Sequence, residues 1–333
     1  MMSKRLVQLR KKVKQYYVWY IQILDEGRYE MFERLLRALK DPKYAFQYLI
    51  RGGDFNNMPD VEYLKLMFNH RMGYELNLAN PKTYNEKLQW LKLHNQNPKY
   101  TMMVDKYEVR KYISEIIGEK YLIQLIGVWD KFEDINFENL PEQFVLKCTH
   151  DSGGLVICTE KKHLDIEDIK EKINKSLKTN YYYAGREWPY KNIKPRIICE
   201  KYIVDESGTE LKDYKFMCFN GEPKIIQVMS GRNSGHYYLN HFDLQWNKMD
   251  IKRKGLEENT TLLEKPNYLE EMIEISKKLS QNIPFVRIDL YETVNGVFFG
   301  EITFYPVSGY MDFEDKKIDY LLGDWIELPI VKN

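Results

Sequence analysis

The stretch Val286-Arg-Ile-Asp-Leu-Tyr-Glu-Thr-Val-Asn-Gly-Val-Phe-Phe-Gly-Glu-Ile-Thr-Phe-Tyr-Pro-Val-Ser-Gly309 decides the reading of the whole chain. Two apolar runs, Phe285–Tyr291 and Val297–Tyr305, flank Asn295-Gly296, a pattern that predicts a β-hairpin. Asp289 and Glu301 interrupt the two runs. A carboxylate inside such a run costs several kcal/mol unless it is paired or holds a cation, so the two together invite a metal reading beside the plainer one of solvated edge charges. Register separates the two readings. A two-residue turn at Asn295-Gly296 would turn Glu301 away from Asp289. A three-residue loop, Val294–Gly296 with a left-handed glycine, sets Asp289 opposite Glu301 and Arg287 opposite Thr303. The expectation is the three-residue loop, with all four residues on one face.

The chain has 333 residues, enough for two or three packed subdomains, and 50 Lys plus Arg stand against 49 Asp plus Glu. That balance argues against a wholly basic nucleic-acid-binding protein, and no nucleic-acid partner is expected. Cys148, Cys158, Cys199 and Cys218 are widely spaced and form no Cys-x-x-Cys, so they read as reduced, buried residues of a cytoplasmic protein. Lys4, Arg5, Arg10, Lys11, Lys12 and Lys14 precede the apolar Tyr16–Leu24, but Gln22 interrupts the run and no cleavage site follows. This stretch reads as a helix packing on its own domain or lying against the inner face of an anionic membrane.

From there to about residue 100 the pattern is helical. Asn80–Leu93 reads as an amphipathic surface helix, and Asp105 as the cap of a helix carrying Lys106 in its first turn. Strands follow. Phe144-Val-Leu-Lys-Cys-Thr149 holds Lys147 and leads into His150-Asp-Ser-Gly-Gly154, where glycines allow backbone N–H groups close to an oxyanion; a plain hairpin turn uses the same residues. Pro195–Val204, Asp213–Phe219 and Lys224–Met229 read as an antiparallel meander with Lys215 inside it. His236 and His241 read as loop residues. Arg232, His236 and Tyr237 are candidates for an acceptor site.

Taken together, Phe144-Val-Leu-Lys147 through Gly154, Glu200-Lys-Tyr-Ile203, Arg287-Ile-Asp289 and Glu301-Ile-Thr303 resemble the ATP-grasp superfamily. Pro81–Leu93, Asp105–Arg110, Asp213-Tyr-Lys-Phe216 and Glu301–Gly309 resemble its TupA-like branch, of teichuronopeptide and capsular polysaccharide biosynthesis, across roughly residues 75 to 325. The resemblance implies an α+β ATP-grasp fold in which two α+β subdomains clamp the nucleotide, preceded by a mainly helical N-terminal region. The expected parts are a helical extension over residues 1–70, a helical lead-in over 71–120, a subdomain with the glycine-rich loop over 121–205, and a subdomain with the metal site over 206–333.

It further implies that Lys106, Lys147, Ser152, Gly153 and Gly154 meet the ATP phosphates. Glu200, Lys201, Tyr202 and Ile203 would border the adenine, and Lys215 would touch phosphate or ribose. Asp289, Glu301 and Thr303 would hold Mg2+, and Arg287, with Lys215, would serve the chemistry. Thr303 replaces the Asn of many superfamily members, and the N-terminal region lacks their usual strand-rich first domain. The implied reaction joins a carboxylate acceptor, such as a uronic acid of a polysaccharide precursor, to an amine or amino acid through an acyl phosphate. The alternatives are a glycosyltransferase, against which the absence of Asp-x-Asp speaks, a sugar kinase, and a silent binding module.

Overall fold

The structure is a computed structural model that describes residues 55–231 and 235–330. The chain divides into two compact units, Met1–Pro59 and Asp60–Asn333. Of the first, only a turn is described, in which Met58 N–H donates to the Phe55 carbonyl at 3.0 Å. The basic N-terminal stretch, the helices read before residue 54, and Arg232 lie outside the described residues. Helix α1 (Asp60–Met72) runs through residue 70, where the sequence suggested a boundary.

The second unit is built on two antiparallel sheets. Strands β1 (Leu125–Trp129), β2 (Phe144–Cys148), β3 (Leu155–Cys158) and β4 (Ile197–Lys201) form one, in the order β1-β4-β2-β3. Strands β5 (Asp213–Phe219), β6 (Glu222–Ser230), β7 (Tyr238–Phe242), β8 (Phe285–Thr293) and β9 (Gly296–Thr303) form the other, in the order β7-β6-β5-β8-β9. The expected meander is therefore split. Residues 195–204 supply a strand to the first sheet, because β4 finds both its edges taken there by β1 and β2. The Asp205 region is a crossing between sheets, closed on itself by Asp205 accepting from Ser207 N–H and Lys212 N–H.

Helices α2 (Tyr84–His94), α3 (Lys99–Val104), α4 (Val109–Ile116), α5 (Ile166–Leu177), α6 (Tyr182–Gly185), α7 (Leu269–Ser280) and α8 (Lys316–Asp324) surround the sheets. Helix α5 buries Ile169 and Ile173 in a small core with Phe144, Leu146 and Cys199. The larger core gathers Phe216, Val286, Ile288 and Leu290 from the second sheet with Met272 and Leu279 of α7. On β5 and β8 the alternate residues Asp213, Lys215, Arg287 and Asp289 fall to the opposite face. All four cysteines are free and buried.

Two local expectations are corrected. Helix α2 is not a surface helix: Thr83 and Glu86 cap it reciprocally, and Asn85, Glu86, Gln89 and Lys92 are buried. Hydrophobic spacing misses this, because the polar face packs on backbone carbonyls supplied from far along the chain. His241 does not lie in a loop but is buried in β7, opposite Gln227, while His236 does lie in irregular, exposed backbone.

Candidate active site

The hairpin turns at Val294-Asn295, so that Thr293 pairs with Gly296 and the expected three-residue loop is not formed. The Thr293 hydroxyl accepts from Asn295 N–H at 3.0 Å, which favours the earlier turn. The extra residue is inserted further along instead, as a β-bulge at Gly300. Beyond it Asp289 pairs with Glu301 and Arg287 with Thr303. Since Lys215 pairs with Asp289, a row Lys215, Asp289, Glu301 crosses three strands.

Asp289 is 1 % exposed and carries the charges of two neighbours. Arg287 donates to it through Nε at 2.6 Å and Nη2 at 2.7 Å, and Lys215 Nζ donates at 2.5 Å. Burial pushes the Asp289 carboxyl up, but Arg287 and Lys215 outweigh it and hold the group below the usual carboxylate range. Burial pulls the Lys215 ammonium down, against the attraction of Asp289. The side chain of Glu301 is 39 % exposed and accepts from Arg287 Nη2 at 3.1 Å. The same Nη2 donates to Thr303 Oγ1 at 3.1 Å.

On the first sheet, Lys147 pairs with Ile198, two residues from Glu200 on the same strand, so both side chains share a face. Lys147 Nζ donates to Glu200 at 2.6 Å, and Arg110 Nη1 to its other oxygen at 2.9 Å. The glycines of the next loop divide the work. A β-carbon on Gly154 would stand 2.5 Å from Cys148 Sγ and from Ser176 Oγ, so this residue packs the loop onto α5. Gly153 is exposed, and a β-carbon there would make only an ordinary contact, 3.7 Å from Asp151 Oδ2. Asp151 accepts from Gly154 N–H and from the Ser176 hydroxyl. Lys106 Nζ donates to the Asp151 carbonyl. Lys106 lies in the turn before α4 and not in its first helical turn, since Asp105 accepts from Tyr107 N–H and Glu108 N–H ahead of a helix starting at Val109.

These groups meet in one cleft of about 240 Å³, bordered by Lys106, Lys147, Gly154 and Glu200 on one side and by Lys215, Asp289 and Glu301 on the other; Ser152 also borders it. Gly153, Lys201, Tyr202, Ile203, Arg287 and Thr303 are not among the lining residues. Arg287 and Thr303 are joined to it through Asp289 and Glu301, while Lys201 is exposed and Tyr202 and Ile203 follow the end of β4. His236 and Tyr237 are exposed and do not border it either. Sequence reasoning gave no role to Arg110, Asp213 or Gly300, which do border it; Arg110 had a signal, as the cation five residues after Asp105 that closes a quoted motif.

A strand lysine ahead of a glycine loop, facing opposed carboxylates on a second sheet, is the arrangement of the ATP-grasp ligase superfamily. The model of the TupA-like ATPgrasp family matches residues 86–327, and the chain belongs to that family. It is an enzyme of the ATP-grasp ligase kind with the ATP-grasp fold. No curated protein matches it. Among solved structures, the D-alanine-D-alanine ligase from Helicobacter pylori is 16% identical, with 73% of this chain and 69% of that one covered and a TM-score of 0.38. A RimK domain ATP-grasp protein from Sphaerobacter thermophilus is 11% identical, with 70% of each chain covered and a TM-score of 0.38. The ATP-grasp ligase PsnB is 7% identical, with 66% of this chain and 57% of that one covered and a TM-score of 0.34.

Proposed function

We propose that the protein is an ATP-dependent carboxylate-amine ligase, in which an acceptor carboxylate attacks the γ-phosphorus, ADP leaves, and an amine then displaces phosphate from the acyl phosphate. The observation that carries this reading is the convergence of Lys106, Lys147 and Lys215 with Asp289 and Glu301 on one cleft. In-line phosphoryl transfer asks little of the protein beyond placed positive charge, which those lysines supply. In this reading Lys106, Lys147 and the loop Ser152–Gly154 hold phosphate, Glu200 through Ile203 border the adenine, and Lys215 bridges phosphate and Asp289.

The donors fit magnesium, which takes one or two carboxylates and completes its shell with phosphate oxygens and water. Glu301 is the more available donor, since Arg287 and Lys215 already occupy both oxygens of Asp289. Thr303 would contribute its hydroxyl. When bound, the ion neutralises phosphate charge as the bond to the leaving ADP breaks. Arg287 would stabilise the oxyanion through Nη1, its Nε and Nη2 being engaged by Asp289, Glu301 and Thr303.

The acceptor we favour is a uronic-acid carboxyl of a cell-surface polysaccharide precursor, and the co-substrate an amino acid or amine, in keeping with the teichuronopeptide and capsule pathways of the resembling branch. Four buried, free cysteines suit a reducing cytoplasm. Among the described residues, no helix is long and apolar enough to cross a membrane. Contact with the inner membrane face would fall to the basic N-terminal stretch.

Lys147→Met tests the nucleotide reading. Glu200 keeps Arg110 as a partner, so the apo melting temperature should barely move, while most of the ATP-induced stabilisation, about 2.7 kcal/mol at a hundredfold excess over Kd, should vanish. An unaltered ATP shift would sink the assignment. Hydroxylamine should trap a hydroxamate only when ATP and a carboxylate are both present; turnover of a UDP-sugar without ATP would favour a transferase.

A further inference from the structure

Lys92 lies on α2, 1 % exposed, far from any strand of the cleft in sequence. Its ammonium donates to Gly185 O at 2.7 Å, Ser308 O at 2.9 Å, Gln89 Oε1 at 2.9 Å and Ser308 Oγ at 3.1 Å. Every hydrogen-bond partner is an oxygen, which suits the protonated form, although burial pulls the group down to about 7 against the attraction of Glu187. Gln89 Nε2 adds donations to Ser308 O and Gly309 O. What these two side chains hold is strained: Val307 and Ser308 have φ of 52° and 54°, and Gly309 follows at 66°. Left-handed backbone costs a side-chain-bearing residue about 1–2 kcal/mol, and it persists where the surroundings over-determine it.

The turn sits next to the carboxylates. Strand β9 ends at Thr303, and only Phe304 and Tyr305, both buried, separate it from Pro306. Phe304 is stacked on Tyr100 of α3 with ring centroids 4.0 Å apart, so the link between the turn and β9 is short and packed in place. Glu187 is buried on the other side; burial pushes its carboxyl up, Lys92 opposes this, and Ser308, Arg287 and Glu301 are its further neighbours. Without Lys92, a buried carboxylate would compete with Asp289 and Glu301 for Arg287.

Building on the ligase reading, we propose that Lys92 is a positioning residue for the magnesium-facing edge of the cleft: it ties the turn after β9 to Gly185 and neutralises Glu187, leaving Arg287 to Asp289, Glu301 and Thr303. It touches none of the reacting groups itself. The ligand it serves is a divalent cation carried by a nucleoside triphosphate.

The test is ATP affinity measured by calorimetry in EDTA and in magnesium, for the wild type, Lys92→Met, and Lys92→Met combined with Glu187→Gln. Affinity in EDTA should stay within twofold. The gain brought by magnesium should fall at least fivefold in Lys92→Met, and recover in part in the double variant, which leaves no unpaired buried charge. If Lys92→Met does not fold, the double variant decides, with a gain at least threefold below wild type. A full magnesium gain in the folded variants overturns the proposal. So does loss of affinity in EDTA in equal proportion, which marks a general strut, or a double variant that cannot fold. A wild type that binds ATP indifferently to magnesium overturns it too, whereas a wild type that binds no ATP defeats the ligase reading first and this inference with it.

Discussion

Gly300 presses against the backbone of Asp289, so closely that a β-carbon at 300 would stand 2.9 Å from the Asp289 carbonyl oxygen and 3.0 Å from the Tyr291 ring. The bulge that turns Glu301 toward Asp289 is formed at this residue. Its backbone needs the space more than it needs unusual dihedral angles, since Gly300 is not among the positive-φ glycines.

Gly300→Ala should therefore disturb the Asp289–Glu301 pair at its source. The expected result is a stability loss of about 1–3 kcal/mol in urea, together with the disappearance of magnesium-dependent stabilisation by ATP. An alanine variant with an unchanged magnesium response in a thermal-shift titration would show that the bulge tolerates a methyl group and that the pair does not depend on it.

The two carboxylates should behave oppositely in the protein without ligand. Asp289→Ala leaves Arg287 and Lys215 buried beside each other, which should cost on the order of 3–5 kcal/mol. Glu301→Gln alters a group 39 % exposed and should change stability by less than about 1 kcal/mol while weakening the magnesium response. Denaturant midpoints without ligand separate the two.

Ser152 donates to the Tyr181 hydroxyl at 3.3 Å, tying the tip of the glycine-rich loop to the residue just before α6. Tyr181→Phe removes this tie but keeps the ring packed edge-on against Tyr190. ATP affinity should fall about two- to tenfold, the range of one hydrogen bond, with little change in melting temperature. Faster amide exchange confined to residues 150–154 is the accompanying signature.

His241 gives the fold an acid sensitivity of its own. Burial, helped by Arg253, holds its imidazole down to about 3, so the folded protein refuses a proton that the unfolded chain accepts near 6.5. Stability from this group is full above the unfolded value and is lost as pH falls from about 6.5 toward 3. Between pH 6 and 4 the wild type should lose about 1.4 kcal/mol per pH unit more than His241→Gln. Parallel pH profiles would exclude His241 as the source.

Much of the site was legible because charged residues inside apolar strands are conspicuous: Lys147, Lys215, Asp289 and Glu301 stand out for that reason and all border the cleft. The pairing of Asp289 with Glu301 follows from the sequence by a different route than the one expected, a bulge at Gly300 replacing a longer loop, because a hydroxyl at Thr293 moves the turn. What could not be read is whatever depends on partners distant in the chain. Periodicity along β4 says nothing of which sheet admits it. The polar face of α2 looks solvated until its carbonyl partners are known. Strand β7, with Asn240 and His241 at its centre, lacks the apolar alternation that marks its neighbours.

Asn85 exchanges hydrogen bonds with the Met311 backbone at 2.8 and 2.7 Å and donates its own N–H to Asp319, contacts that reach across 226 and 234 residues. Helix α2 is thus among the earliest segments described and one of the last that can be completed. Until the chain beyond β9 is folded back, Asn85 and the Gln89 amide nitrogen lack the carbonyl partners they hold in the folded chain and Lys92 lacks those at Ser308, and being polar these groups keep the waiting helix from sticking to other apolar surfaces. Closing so wide a loop is slow. The final step of folding and the seating of the turn behind Glu301 should therefore be the same event, so that a chain caught short of it has both sheets but no competence toward the metal.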